Sequence, residues 1–389
     1  MVFLEAMKVL IGFAFWVSWI GTGVLSFSPQ LPNSKTPRAS ARFLSLEQTS
    51  PTAEAISRVW DFQGHECYST VTKPTNGNLF VQENKPEILL IHGFGCSTVY
   101  WRETIKYLTQ AGYTVHAVDL LGQGKSSKPG RAQGIEYSIS LWARMMDAYL
   151  QQFVRSKDVV VMGNSLGSLV ALTVATETDS SSNVKGIGMY NCGIGLNTRN
   201  FLRDPSLNTP QRAVFTALFA LLDALIFNNI PLLTYLLNKV VTKELLNNVL
   251  VGLYSCAPEP ETRVDQALVD SFYFPAKEDG SVEALNQIYT NDAGKTPMEI
   301  HQEYESVLQS VPIHLVWGSK DSVTPLEGPV GQFYTALAKE DNKVTMNVIE
   351  SGHIPFDEIP ECNDSMVKWL NEVVASDKSK PLFQWPFSL

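Results

Sequence analysis

Val159-Val160-Val161-Met162-Gly163-Asn164-Ser165-Leu166-Gly167 decides how this chain is read. A continuous apolar run of this kind suits a strand buried on both faces of a parallel sheet. It runs straight into Gly-x-Ser-x-Gly, and apolar residues at helical spacing follow as far as Thr176. Gly163 and Gly167 leave no side chain beside the turn, so Ser165 can stand in a sharp, strained elbow with its hydroxyl above the sheet. The next amide, Leu166 N–H, then points to where negative charge would develop on a reacting carbonyl.

The same alternation extends outward on both sides. Upstream, the segments Arg58–Phe62 and Glu66–Val71 around Gly64 predict a hairpin, and Ile88–Ile91 predicts a buried strand ending in His92-Gly93. A helix is expected over Thr98–Gln110, a strand over Thr114–Val118 and a helix over Ser140–Val154. Downstream come strands Val184–Tyr190, His314–Trp317 and Val344–Ile349, with helices Gly331–Lys339 and Cys362–Val374. Strand–helix alternation at this spacing predicts an α/β fold with a mostly parallel, doubly wound sheet. Between Asn191 and Pro312 the pattern gives way to helices, expected over Thr209–Asn228, Ile230–Val241 and Thr242–Tyr254. An insertion between two sheet strands must lie over the sheet's carboxyl edge, as a helical cap. The chain therefore divides into a core at 51–192 and 311–375, a cap at 193–310 and a tail at 376–389. The run from Phe215 to Phe227 is apolar nearly all round, which a solvated helix would not be. It is expected either as a helix buried inside the cap or as the wall of an acyl- or isoprenoid-binding lid, and both can hold.

A serine nucleophile needs a base, and the base needs an orienting carboxylate. Ser351-Gly352-His353 follows the last strand, and Gly318-Ser319-Lys320-Asp321 follows the strand before it. The order Ser165, Asp321, His353 is the one that a strand–elbow–helix serine predicts. Asp357, Glu358 and Glu350 lie near His353 and are expected at the surface or behind the site. The loop His92-Gly93-Phe94-Gly95 supplies a second oxyanion donor at Phe94 N–H, and Gly93 and Gly95 allow close approach of a substrate. His92 is expected as a structural hydrogen-bonding residue, and Cys96 has no elbow to make it a nucleophile. Asp119-Leu120-Leu121-Gly122-Gln123-Gly124 reads as a tight turn beneath the site, without the spacing of a phosphate-binding loop. Trp101 and Trp142 read as packing residues, with Trp101 close enough to border the pocket.

Composition narrows the function. The chain has 389 residues with 30 basic against 39 acidic, a formal net charge of −9, and no Lys/Arg cluster able to track a phosphate backbone, so nucleic acid is not an expected partner. The five cysteines are scattered and the six histidines lack metal-ligand spacing. Free thiols in a reducing compartment are expected, and neither a metal nor another cofactor is. Residues 1–26 hold an uncharged apolar segment, Val9–Leu25, preceded by Lys8. This reads as a signal or, at the lower edge of length, a membrane anchor. Residues 27–50 are rich in Ser and Arg, and no acidic residue occurs from Phe27 to Leu46, as in a transit peptide. Together they resemble the bipartite plastid presequence of diatoms and related algae. A plastid location is the expectation, with a membrane-anchored or secreted protein as the alternative.

With the HGFG loop, the DLLGQGKS turn, GNSLG, WGSKD and SGHIPFDEIPE in this order, the chain resembles the α/β-hydrolase superfamily from about Trp60 to Val374. Its wording is similar to the plastid branch that includes pheophytinase and chlorophyll dephytylase, enzymes that release phytol from a chlorin-ring ester. It departs from that branch at Ser322-Val323 after the acid, where Pro-Trp is usual, and at Ser168 after the elbow, where Gly is usual. The resemblance implies a serine-dependent carboxylic-ester hydrolase acting through an acyl-enzyme on a small-molecule hydrophobic ester. Acyl transfer or thioester cleavage with the same residues is the alternative, and a non-catalytic ligand-binding protein is the alternative of another class. Contact with a membrane surface for lipid access is a further expectation; the oligomeric state is left open.

Overall fold

The computed structural model describes residues 55–74, 85–154 and 158–374. The signal-like segment, the transit-like stretch and the tail at 376–389 lie outside the described residues. The strands are β1 (Ala55–Phe62), β2 (His65–Thr72), β3 (Glu87–Ile91), β4 (Val115–Val118), β5 (Val159–Asn164), β6 (Val184–Tyr190), β7 (Ile313–Gly318) and β8 (Val344–Ile349). They form one sheet in the order β1-β2-β4-β3-β5-β6-β7-β8. β1 and β2 form an antiparallel hairpin, and β2 pairs antiparallel with β4; all later pairs are parallel. The hairpin turns through Gln63 and Gly64, both at positive φ, which matches the right-handed twist of the flanking strands.

Every residue of β5 is buried, as its unbroken apolar sequence requires. Helices α1 (Arg102–Gln110), α2 (Ile139–Phe153) and α3 (Leu166–Glu177) connect the first parallel strands. α3 is buried from Leu166 to Ala175, so its lack of a polar face reflects a helix at the centre of the core.

The insertion after β6 is helical: α4 (Thr209–Leu222), α5 (Ile230–Tyr235), α6 (Lys243–Leu253), α7 (Gln266–Lys277), α8 (Ser281–Thr290) and α9 (Pro297–Glu303). Side-chain caps start several of these helices, Asn208 with Gln211 before α4 and Thr296 with Glu299 before α9 among them. The expected helices over 209–228 and 230–241 each pass into a π-turn, at Asp223–Phe227 and Leu236–Val240. α10 (Pro329–Glu340) and α11 (Asn363–Trp369) return the chain to the core. The cap is fastened to the core on two sides: Tyr254 Oη, Cys256 N–H and Arg263 Nε donate to Asp357 and Glu358, and a second set of bonds runs along 128–137. Lys128 Nζ meets Glu278 at 2.5 Å, Arg131 N–H donates to Glu283 Oε1 at 2.6 Å, and Tyr137 N–H donates to Gln287 Oε1 at 3.0 Å.

The apolar run 215–227 departs from the expectation of burial. Phe215, Phe219 and Phe227 point inward, but Leu221 and Leu225 are 53% and 57% exposed, and Val214 just before the run is 64% exposed. Periodicity announced the helix but could not say that only one of its apolar faces has a partner.

His314, inside β7, illustrates how the core handles a titratable group. Its ring hydrogen-bonds Thr345 Oγ1 and Ser365 Oγ, each at 2.8 Å, and stacks on Trp369. Desolvation pushes its pKa down to about 4, so the neutral ring is the folded form. The unfolded chain binds a proton near pH 6.5, and the folded chain resists it until about pH 4. Stability from this group is complete above pH 6.5 and is lost as pH falls through that window, by roughly 3 kcal/mol. Denaturant titrations at both ends of the window should show the loss, and His314→Gln should reduce it by this group's share, while His301 and His92, pushed down by burial as well, keep theirs.

Candidate active site

β5 delivers Ser165 in the conformation the glycines foretell: φ is 54° and ψ is −121°. A non-glycine residue at positive φ costs on the order of 1–3 kcal/mol and persists only when its surroundings hold it. Here Ser165 N–H donates to Tyr190 O, and Ser165 O accepts from Ser168 N–H and Gly193 N–H, each at 3.0 Å. A methyl group on Gly163 would stand 2.2 Å from the Gly167 carbonyl carbon, and one on Gly167 would stand 2.1 Å from Ile91 O. Asn164 uses its side-chain amide to donate to Tyr190 O and His353 O, tying the elbow to the loop that carries His353.

The structure brings Asp321 and His353 together. His353 Nδ1 lies 2.8 Å from Asp321 Oδ2, and Asp321 is buried. A carboxylate accepts only, so Nδ1 carries the proton and Nε2 keeps its lone pair. Asp321 Oδ2 also accepts from Asn191 Nδ2 and Thr324 Oγ1, both at 2.6 Å, and Oδ1 accepts from the Val323 and Thr324 amides. The Ser322-Val323 departure thus leaves the carboxylate fully bonded.

Sequence reasoning missed Asn191. It sits immediately after β6 at φ 44°, fully buried, and its amide also donates to Gly352 O while its oxygen accepts from Gly318 N–H. One side chain therefore joins the Asp321 loop to the His353 loop. The available signal was a polar residue ending an apolar strand at the carboxyl edge of a parallel sheet. Losing a hydrogen bond to a charged group costs about 1.5–3 kcal/mol. Asn191→Ala is expected to lower kcat roughly tenfold to a hundredfold with little change in KM, and steady-state kinetics across a pH series would separate this from a global loss of fold.

Glu358 and Asp357, expected at the surface or behind the site, lie behind it, both buried. Glu358 Oε2 accepts from Gly352 N–H at 2.6 Å and Ser351 Oγ at 2.7 Å, anchoring the turn before His353. Asp357 is held by Arg102 and by Tyr254 Oη. Neither has His353 as a partner.

The loop 92–95 passes close to the serine: a methyl on Gly93 would lie 3.4 Å from Ser165 Cβ. Gln123, from the Asp119 turn, accepts from Gly95 N–H at 2.6 Å and so braces this loop. The turn is tight because Gly124 leaves room for the Asp119 carboxylate, which caps the Thr98 and Lys125 amides. His92 Nε2 accepts from Leu120 N–H and its Nδ1 meets Gly93 O. Burial pushes its pKa down, so it is a neutral ring spent on backbone bonds. Burial pushes the Cys96 thiol up, which disfavours its nucleophilic form. Trp101 stacks on Phe356 at 4.3 Å in the core and does not border the cavities beside Ser165. Trp142 is buried and donates to Leu121 O.

Ser165 and Phe94 both line two cavities, of about 880 Å³ and about 390 Å³. Tyr289 lines both as well, and its ring meets Phe94 edge-on at 5.5 Å and stacks on Phe227 at 4.3 Å. Leu166 borders the larger cavity beside polar residues such as Asn197 and Gln332. His353 borders the smaller one, whose far walls are Leu233, Leu236, Leu250 and Leu253. Among the described residues, no group of three His, Cys, Asp or Glu side chains could hold a metal ion.

Comparison with known proteins agrees with this architecture. A family model described as the alpha/beta hydrolase fold matches residues 86–360. "Probable lysophospholipase BODYGUARD 2" of Arabidopsis thaliana is 26% identical over 156 residues, 37% of this chain and 32% of that one. The chain spans 32%, 26% and 24% of the lengths of the BODYGUARD 2, 3 and 1 proteins. "Uncharacterized protein Rv2715" of Mycobacterium tuberculosis (strain ATCC 25618 / H37Rv) is 27% identical over 283 residues, 71% of this chain and 72% of that one. Among solved structures, epoxide hydrolase I of potato (Solanum tuberosum) is similar with a TM-score of 0.58 at 17% identity, over 82% of this chain and 100% of that one. From the match over most of its length and the fold just described, the chain belongs to the α/β-hydrolase family.

Proposed function

We propose that the protein is a serine-dependent hydrolase of a hydrophobic carboxylic ester, and that Ser165, Asp321 and His353 carry the reaction. The observation that carries this reading is the hydrogen-bonded Asp321–His353 pair sharing one cavity edge with a strained serine elbow. His353 Nε2 takes the Ser165 proton as Oγ attacks the carbonyl carbon. The Phe94 and Leu166 amides hold the oxyanion. His353 then protonates the leaving alkoxide, and water releases the acid from Ser165 by the reverse sequence. Epoxide opening in this fold uses an Asp nucleophile, and position 165 is Ser.

The two cavities support a bulky acid joined to an apolar alcohol. The acyl group stays with the oxyanion donors, and Leu166 borders the larger, more polar cavity. The leaving alcohol must reach His353, which borders the leucine-walled one. A phytyl ester of a chlorin acid fits this division, and a plastid location accords with it. The BODYGUARD names favour a lysophospholipid as the second reading. Full-length protein offered pheophytin and lysophosphatidylcholine should release phytol from the first, and Ser165→Ala should release neither product. Release of fatty acid alone would overturn the phytyl reading and keep the ester-hydrolase one.

A further inference from the structure

Ser165 stands on the boundary between its two cavities, and four side chains share that boundary with it. Phe94, Val323, Ile288 and Tyr289 border both cavities, as Ser165 does. Phe94 lies on the loop after β3 and Val323 on the loop after β7, so two of the four come from the core. Ile288 and Tyr289 are consecutive on α8, so the other two come from the cap. Successive residues of a helix point about 100° apart. A consecutive pair that borders both cavities therefore sets α8 along the partition between them.

The cap half of this partition is firmly held. The Tyr289 ring stacks on Phe227 with 12° between the planes and meets Phe94 edge-on. Asn286 Nδ2 donates to Phe227 O at 2.7 Å, which keeps Phe227 against that ring. Asn197 Nδ2 donates to Ile288 O at 3.0 Å, and Arg199 Nε donates to Tyr289 O at 2.9 Å. Arg199 is paired in turn with Asp223. Ile288 is buried, and burial pushes the Tyr289 hydroxyl up to about 12, so the ring is enclosed and neutral. Such side chains do not swing aside for a substrate; they limit its width.

An ester reacting at Ser165 sends its acyl chain into one cavity and its alkoxy group into the other. The atoms that pass the partition are those next to the carboxyl group, the α-carbon of the acid and the first carbon of the alcohol. Bulk further out has the cavities to fill. We propose that Phe94, Val323, Ile288 and Tyr289 form a waist that restricts the substrate to esters with methylene groups on both sides of the carboxyl, and that Ile288 and Tyr289 determine this specificity. Resting on the ester reading above, the waist narrows it. A straight acid joined to a primary alcohol passes; an α-branched acid or a secondary alcohol is held away from Ser165.

Two pairs of isomeric esters test this with the full-length protein: p-nitrophenyl valerate against p-nitrophenyl pivalate, and butyl valerate against sec-butyl valerate. Alkaline hydrolysis of the same esters gives their intrinsic preference. Wild type should exceed that preference in kcat/KM by roughly tenfold to a hundredfold, the scale on which a single methylene decides in an apolar pocket. Tyr289→Ala should cut the excess about tenfold, and Tyr289→Phe, which keeps the ring, should retain it. Partial loss of folded protein lowers both rates and leaves their ratio alone; Tyr289→Leu takes the place of Tyr289→Ala should the latter not fold. Wild type that shows only the hydroxide preference overturns the waist, as does a folded Tyr289→Ala or Tyr289→Leu variant that keeps the full excess. Loss of the excess in Tyr289→Phe overturns it too, since the hydroxyl and not the width would then decide. No turnover of the straight esters also overturns it, and the ester reading falls with it only if pheophytin and lysophosphatidylcholine are left intact as well.

Discussion

Ser165→Ala is expected to remove ester turnover almost entirely, with kcat falling on the order of 10⁶-fold. The oxygen that would form the acyl-enzyme is gone, so His353 has no proton to accept and water must attack the bound ester unaided. Substrate affinity should change little, because both cavities keep their walls and the lost atom is a single hydroxyl. Single-turnover kinetics with a chromogenic ester check this directly: wild type should show a burst of alcohol release and the variant should show none. A variant retaining a tenth of the wild-type rate would move the chemistry away from the elbow. Thermal denaturation should leave the variant at least as stable as wild type, since Ala tolerates the strained backbone no worse and buries no polar atom.

Gly167→Val should have the largest effect on stability. A Cβ there would meet Ile91 O at 2.1 Å and His92 O at 2.7 Å, backbone atoms at the end of β3 and the start of the loop 92–95. Neither can rotate away, so α3 would have to separate from β3 at the centre of the sheet. The cost is expected at about 4 kcal/mol or more, in the range of severe core disruption. Urea titration should show it as a lower midpoint or as failure to accumulate folded protein. Gly95 offers a contrast, because a Cβ there meets nothing within 4 Å and only its φ of 71° opposes substitution.

The parts of this molecule that were legible in its sequence are those whose physics is local. The apolar run 159–162 and the glycines at 163 and 167 announce a buried strand and a sharp turn within nine residues. Asp321 and His353 are legible because each ends a predictable strand at the same edge of the sheet. Asn191 was not, since its worth lies in bonds to residues 130 and 161 positions away. For Asp357 and Glu358 the sequence leaves the surface and a place behind the site both open, until Arg102, 255 positions earlier, and the amides of 256 and 352 are brought to them. The outward stripe of α4 was hidden for a related reason: periodicity reports which residues share a face, and only packing reports whether that face is covered.

The seam between cap and core bears on how such a protein can be rebuilt. Ser165, Asp321, His353, Phe94 and Leu166 all belong to the core, and none comes from 193–310. The cap is in that sense a cassette, and a different helical insert could change what is held while the chemistry stays. The cassette has a second boundary besides its two ends, however. Gly130 has no room for a Cβ beside Glu283, and Lys128, Arg131 and Tyr137 each bond to the cap. A graft confined to the inserted segment would leave those partners facing the wrong surface. The unit that travels intact is the insert together with the core stretch 128–137 and with Arg102, Asp357 and Glu358, which hold Tyr254, Cys256, Arg263 and Asp265 of the cap.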